Sequence, residues 1–436
     1  MGASRSRQIS DACRQKPCYI RRICDRRRGA MVQLVSRGWL VFLVVCLFAT
    51  TTSCATQRPT GRPSLERQVV LSDLKSPWGM AFVSSEDVLI TEKEGGLILA
   101  NIRTGEQSDV TGLPGDLVDT IRAELPFDNS GLFDVAIDPD FQNEPWVYLS
   151  YTAKDEGGLT TKVVRARLID RQLTKMETLL IAEPFTTGEF HHYGGGLAFG
   201  VDGKLYVTVG ERIFHERDNP DVPIAQDLTD RRGKIYRLNA DGSIPDDNPD
   251  FGPGAVPGLY ALGIRAAQGI TLNPTTGDLW FSEHGSRQGD EINRLVAGAN
   301  YGWPLVTTGG YRNEDFVPPD VGNEELEGPI WSWPQTVAPT GLAFYIGDEF
   351  PEWEGDLFVS GLSRGSFWRM NFNGGKIVSV EELFVDDRVR SRDVTVAPDG
   401  SLYMLTDTLL IPKEGGGFDN TDVPSGQLLR IVRKSP

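Results

Sequence analysis

A small-residue apolar strand, a turn and a second apolar strand recur six times in this chain, and that repeat limits the architectures open to it. The copies are WGMAFVSSEDVLITE (78–92), FDVAIDPDFQNEPWVYLSYT (133–152), GGLAFGVDGKLYVTVGE (195–211), QGITLNPTTGDLWFSE (268–283), TGLAFYIGDEFPEWEGDLFVSG (340–361) and RDVTVAPDGSLYMLTD (392–407). The equivalent positions Ala81, Ala136, Ala198, Thr271, Ala343 and Thr395 are spaced 55, 62, 73, 72 and 52 residues apart. Further strands follow most units, at 95–100, 163–168, 233–238 and 367–370, and helical periodicity is almost absent. Four strands per unit and six units predict an all-β fold: a six-bladed β-propeller with four-stranded blades, one domain over residues 67–436. Residues 427–432 are expected to pair with 68–71, which closes the ring and removes its free edges. The long period leaves long inter-blade loops, and long loops in compact domains carry function.

Residues 1–53 precede the repeat as an N-terminal extension. The first 30 are rich in Arg and Cys, and Met31 is the expected start. The apolar run LVFLVVCLF (40–48) is too short for a final membrane anchor and is followed by small residues, so 31–53 reads as an export signal. Cys54, at the end of TTSC, resembles the lipidated Cys of a bacterial lipoprotein box. ATQRPTGRPS (55–64) forms the core of a tether over 54–66, so the expected location is periplasmic or membrane-anchored at the cell envelope. All five Cys lie at or before position 54, which leaves the rest without disulfide or thiolate chemistry. Beyond residue 53 there are 34 basic and 58 acidic residues, a net charge of −24. That charge argues against nucleic acid as a partner and fits a protein that binds cations or neutral small molecules.

The densest chemistry lies in ALGIRAAQGITLNPTTGDLWFSEHGSRQGDEINRLVAGANYGWP (261–304). Two strand-like runs, 269–272 and 278–282, flank the turn PTTG. A loop then concentrates Glu283, His284, Gly285, Arg287, Asp290 and Glu291. An acidic, Gly-punctuated loop suits a hard cation such as Ca²⁺, which takes carboxylate and carbonyl oxygens; a polar surface turn is the plainer reading. The chain has four His, at 191, 192, 215 and 284. EFHHYGGGLAF puts the first two just before an inner strand, facing the central channel of a propeller. A neutral imidazole suits general-base work, and two adjacent His on an extended chain point opposite ways, which disfavours a shared metal.

In their order, GIRAAQG, EHGSRQGDEIN and NYGWP resemble the soluble sugar dehydrogenases that depend on pyrroloquinoline quinone (PQQ), and most of all the bacterial aldose type. GKIYRLNADGSIPDDNPDF upstream and PTGLAFYIGDEFPEWEGDLF and RSRDVTVAPDGSLYMLTD downstream extend the likeness over about residues 71–432. The resemblance implies oxidation of the C1 hydroxyl of an aldose to a lactone with Ca²⁺-bound PQQ, electrons passing to an external acceptor. By the same resemblance His192 is the catalytic base and Arg265 the cation beside the quinone oxygen. Gly285 and Ser286 offer backbone carbonyls to the cofactor's Ca²⁺. Arg390 and Arg392 bind the cofactor's carboxylates, and Tyr311 is an aromatic wall. Glu291 and Tyr301 match a separate Ca²⁺ site, with the Tyr301 carbonyl as the expected ligand. Asn129 in DNSGLFD stands where the family commonly has Gln. Ala266 and Ala267 replace an Asn-Pro pair, Gly196 replaces an Arg, and Ser363 replaces a Lys whose anion the adjacent Arg364 could reach.

Two other functions fit the residues. A non-catalytic sugar- or partner-binding propeller would carry such a thinned cofactor clamp, because fold does not fix function. A Ca²⁺-dependent lactonase needs only carboxylates around one central ion, whereas the acidic groups here cluster in one blade's loop.

Overall fold

The computed structural model describes residues 63–118, 129–187, 192–212, 223–320, 325–373, 375–407, 411–412, 418–419 and 426–434. The extension, Cys54 and most of the tether lie outside them, as do His191 and His215. Six four-stranded antiparallel sheets make a six-bladed propeller, and the described residues contain no α-helix. From the inside outward, blade 1 comprises Pro77–Phe82, Asp87–Glu92, Gly96–Asn101 and Gln107–Asp109. Blade 2 is Leu132–Ile137, Trp146–Asp155, Gly158–Ile169 and Gln172–Ile181. Blade 3 is Gly194–Phe199, Leu205–Val209, Lys234–Leu238 and Leu259–Leu262; blade 4 is Ala267–Leu272, Leu279–Glu283, Glu291–Arg294 and Trp331–Ser332. Blade 5 is Pro339–Phe344, Leu357–Gly361, Ser366–Asn373 and Lys376–Leu383. Blade 6 closes the ring as expected: after Ser391–Val396 and Leu402–Thr406 comes Gly426–Arg433, which pairs with Leu65–Leu74.

The repeat seen in the sequence is a repeat of register. Ala81, Ala136, Ala198, Thr271, Ala343 and Thr395 face Leu89, Tyr148, Tyr206, Trp280, Phe358 and Tyr403 across the first two strands of each blade. A small residue on the crowded inner strand opposes a large one on the next, which lets the layers between blades pack closely. Every inner strand also has a pairing irregularity in its first half, between Pro77 and Met80 in blade 1 and at the same place in the other five. Such a bulge frees backbone groups that must find other partners. Hydroxyls on the second strands supply them in four blades. Thr208 Oγ1 accepts from Gly196 N and donates to Ala267 O of blade 4, each at 2.9 Å. Thr91, Ser150 and Ser282 join their own blade to the next in the same way.

Two half-buried Asp complete the lacing at the axis. Asp134 accepts from Val135 N and Leu197 N, and Asp393 from Val394 N and Met80 N, so each ties its blade to the following one. Glycine is required opposite them: a Cβ on Gly341 would lie 1.8 Å from Asp393 Oδ1, and one on Gly79 2.5 Å from Asp134 Oδ1. Both Asp line a small axial cavity of about 30 Å³ with Gln268 and Arg392. Burial, and for Asp134 also the charge of Asp393, pushes their carboxyl pKa values up to about 8 and about 7.

Candidate active site

The open end of each inner hairpin presents its groups on one end of the propeller, because the first residues of an inner strand lie beside the last residues of the second. In blade 3 Gly194 pairs with Val209, and continuing that pairing two residues outward sets His192 opposite Glu211. Their side chains meet: His192 Nδ1 lies 2.8 Å from Glu211 Oε1, both buried. A carboxylate at Nδ1 holds the proton there and turns Nε2 into the basic nitrogen. His192 has φ +53°, an uncommon conformation for a residue with a side chain, and Gly210 makes room for it: a Cβ there would lie 1.9 Å from His192 O.

Blade 4 repeats the geometry. Ala267 pairs with Glu283, so Arg265 faces Gly285, and Arg265 Nη1 donates to Gly285 O at 2.7 Å and His284 O at 3.0 Å. The guanidinium is 2 % exposed and lies 5.1 Å from the Trp303 ring. The two hairpins are joined, since Glu211 N donates to Arg265 O at 2.9 Å. Blade 6 gives the third case: Ser391 pairs with Thr406, and Arg390 Nε reaches Asp407 Oδ2 at 3.2 Å. Arg392 is buried with its carbon Cζ 4.2 Å over Trp78, and its Nε has no hydrogen-bond partner among the described residues. Burial pulls its pKa down to about 10, against the pull of Asp407. The Nε of this buried cation is a donor left over for an anion. The Trp78 ring lies 5.7 Å from Phe133, which in turn lies 5.5 Å from Tyr193, an aromatic arc from blade 1 across blade 2 to His192's neighbour.

The cation question divides. Asp290, in the acidic loop, is not available as a ligand: its carboxylate accepts from Gly285 N at 2.8 Å, Val337 N at 2.6 Å and Ala338 N at 2.7 Å, and so shapes the loop. The Gly285 carbonyl faces Arg265, and the Ser286 carbonyl accepts from Arg312 Nε at 3.3 Å. Glu291 instead faces Glu283 directly across neighbouring strands, and the two line one cavity of about 260 Å³ with Gly285, Tyr301 and Trp303. Burial, then the charge of Glu291, pushes Glu283 up to about 8; Glu291 is raised as well, chiefly by burial. Like charges directly opposite destabilise a sheet unless something positive lies between them, so this donor set fits a hard cation. The Tyr301 hydroxyl is engaged, accepting from Val296 N and donating to Arg294 O, so only its carbonyl could serve a metal. Among the described residues no group of three or more His, Cys, Asp or Glu could hold a metal.

Tyr311 does not line this cavity but packs beside Trp303, its ring 5.8 Å from Trp303 and 5.0 Å from Phe316, with its hydroxyl donating to Pro304 O. Arg364 is exposed on a turn whose Gly365 packs against Val389 and Arg390. Asn129 is half-buried beside Gly131, whose α-carbon has no room for a side chain next to the Lys93 carbonyl. Burial pulls the pKa of His284 down to about 4. Glu283 belongs to the acidic loop already singled out in the sequence, whereas no motif points to Glu211, Asp407 or the aromatic partners Trp78 and Trp303. Hairpin symmetry about each repeat's turn would have found Glu211 and Asp407 opposite His192 and Arg390.

The family model described as Glucose / Sorbosone dehydrogenase matches residues 74–411. The aldose sugar dehydrogenase YliI of Escherichia coli is 35% identical over 370 residues, covering 83% of this chain and 95% of that protein. Quinoprotein glucose dehydrogenase B of Acinetobacter calcoaceticus is 29% identical over 450 residues, covering 85% and 92%. The PQQ-bound aldose sugar dehydrogenase of Streptomyces coelicolor superposes with a TM-score of 0.65 at 25% identity, covering 86% of this chain and 99% of that one. Its repeat, its propeller and these likenesses make this chain a member of the glucose/sorbosone dehydrogenase family.

Proposed function

We propose that this protein is an exported quinoprotein that oxidises the C1 hydroxyl of aldoses to lactones with Ca²⁺-bound PQQ. The observation that carries the reading is the buried His192–Glu211 pair, joined through the Glu211 main chain to Arg265. His192 Nε2 accepts the proton of the C1 hydroxyl, and the Glu211 carboxylate stabilises the imidazolium that results, a contribution of ~10²–10⁴ in rate for a positioned base. Bound at this end of the propeller, PQQ supplies the two-electron acceptor for the C1 hydride. Arg265, pinned by two carbonyls, keeps a positive charge where negative charge develops. Arg392 and Arg390 offer guanidinium groups to carboxylates, and Asn129, Tyr311 and Arg364 complete the cofactor's surroundings. Two electrons leave to an external acceptor. The Gly285 and Ser286 carbonyls serve the cofactor's Ca²⁺, and Glu291 with the Tyr301 carbonyl serves a second ion, to which Glu283 adds a carboxylate.

Mature protein reconstituted with Ca²⁺ and PQQ should reduce an artificial electron acceptor when aldoses are present. No turnover across a broad sugar panel, together with no PQQ binding by spectroscopy, overturns the reading. Export by residues 31–53 and lipidation at Cys54 belong to the same proposal. Cys54→Ser should release the protein from the membrane fraction, and unchanged fractionation refutes the anchor.

A further inference from the structure

Lys234 begins the third strand of blade 3 and is 0 % exposed, yet among the described residues no carboxylate pairs with it. Its ammonium donates to three backbone carbonyls, Arg232 O at 2.7 Å and Ile224 O and Ala225 O at 3.1 Å each. Three donors meeting three carbonyls is how a small cation is caged, here with the cation built into the chain. Burial pulls its pKa down to about 7, with Asp230 and Asp227 opposing. The caged segment is a one-turn 3₁₀ helix, Ile224–Gln226, whose start has no side-chain cap.

That turn supports the residues of the candidate site. Ala225 O accepts from Gly263 N as well as from Lys234, and Gly263 is two residues before Arg265. Gln226 Nε2 donates to Trp303 O at 2.7 Å and to Asn300 Oδ1 at 3.0 Å, while Trp303 N donates to Gly263 O. On the other side Gly233 N donates to Gly210 O, next to Glu211. The packing leaves no slack: a Cβ on Gly263 would lie 2.3 Å from Asn300 Oδ1, and one on Gly233 2.6 Å from the Ala225 side chain. We infer that Lys234 is a positioning residue that, by caging the Ile224–Gln226 turn, fixes Arg265 and the Trp303 ring beside it, an inference that takes its catalytic meaning from the dehydrogenase reading.

Amide hydrogen exchange of the folded protein tests the geometry without any turnover. Lys234→Met, which keeps the chain length and removes the three donors, should speed exchange at Gly263 and Trp303 by at least tenfold and leave blade 6 unchanged. Lys234→Ala should show the same, and n-propylammonium, but not n-propanol, should restore protection; a merely space-filling lysine would not distinguish them. Gln226→Ala, at a part-exposed residue, breaks the last link without touching the ammonium and should raise exchange at Trp303 even if the lysine variants fail to fold. If the wild type turns over aldoses, Lys234→Met should lower kcat at least tenfold with little change in KM for the sugar. Normal protection at Gly263 and Trp303 in folded Lys234→Met, or at Trp303 in Gln226→Ala, overturns the inference. A wild type without turnover defeats only the dehydrogenase reading.

Discussion

His192 Nδ1 and Glu211 Oε1 lie 2.8 Å apart because the pairing of Gly194 with Val209, continued outward, sets the two residues face to face. The pair is buried, so the carboxylate acts at full strength on the ring. Glu211→Ala removes both the acceptor that fixes the tautomer and the charge that favours the imidazolium. Glu211→Gln keeps an acceptor and removes only the charge. The expected order of kcat is wild type, then Glu211→Gln, then Glu211→Ala, with His192→Ala losing the ~10²–10⁴ ascribed to a base. Steady-state kinetics on the reconstituted enzyme decide it. Equal kcat in all four refutes the assignment.

The architecture was legible because a propeller repeats, and six copies of one pattern outweigh any single ambiguous strand. The closing pairing of Leu65–Leu74 with Gly426–Arg433 followed from the need to leave no free edge. In the candidate site the motifs name residues but not their partners. Asp290 shows why: in sequence it is one more acid in an acidic loop, and only the fold reveals that three backbone N–H groups from two segments converge on it. Lys234 shows the converse. A lysine in a strand reads as solvent-facing, and nothing local announces the turn Ile224–Gln226 that folds over its ammonium.

The cross-strand pair Glu283 and Glu291 gives a test of the metal. An ion held by the native state alone stabilises it by about 2.7 kcal/mol when free metal is a hundredfold above its dissociation constant. Chelator should therefore lower the melting midpoint and Ca²⁺ restore it. Glu291→Gln should abolish most of the difference while relieving the repulsion, so this variant should melt higher than the wild type in chelator. Calorimetric scans with and without Ca²⁺ measure both effects. A Glu291→Gln variant that keeps the full calcium response places the ion elsewhere.

The axial carboxylates predict how stability varies with pH. Asp134 and Asp393 have native pKa values of about 8 and about 7, raised chiefly by burial from the ordinary 3.8. A raised pKa means that the native state holds the proton more tightly than the unfolded chain. Their contribution is therefore fully present below pH ~4 and is lost as pH rises through about 7 and then about 8, at no more than ~1.4 kcal/mol per pH unit for each proton. With calcium held constant and in excess, the urea midpoint should fall steadily from pH 5 to pH 8. Asp134→Asn cannot accept from both Val135 N and Leu197 N, so it should be ~1–3 kcal/mol less stable at pH 5. It should also show a shallower decline towards pH 8, because one of the groups that titrate there with a raised pKa is gone. A variant destabilised at pH 5 but with the wild-type slope would mean that Asp134 enters the native state already ionised, with Arg392 as its counter-charge.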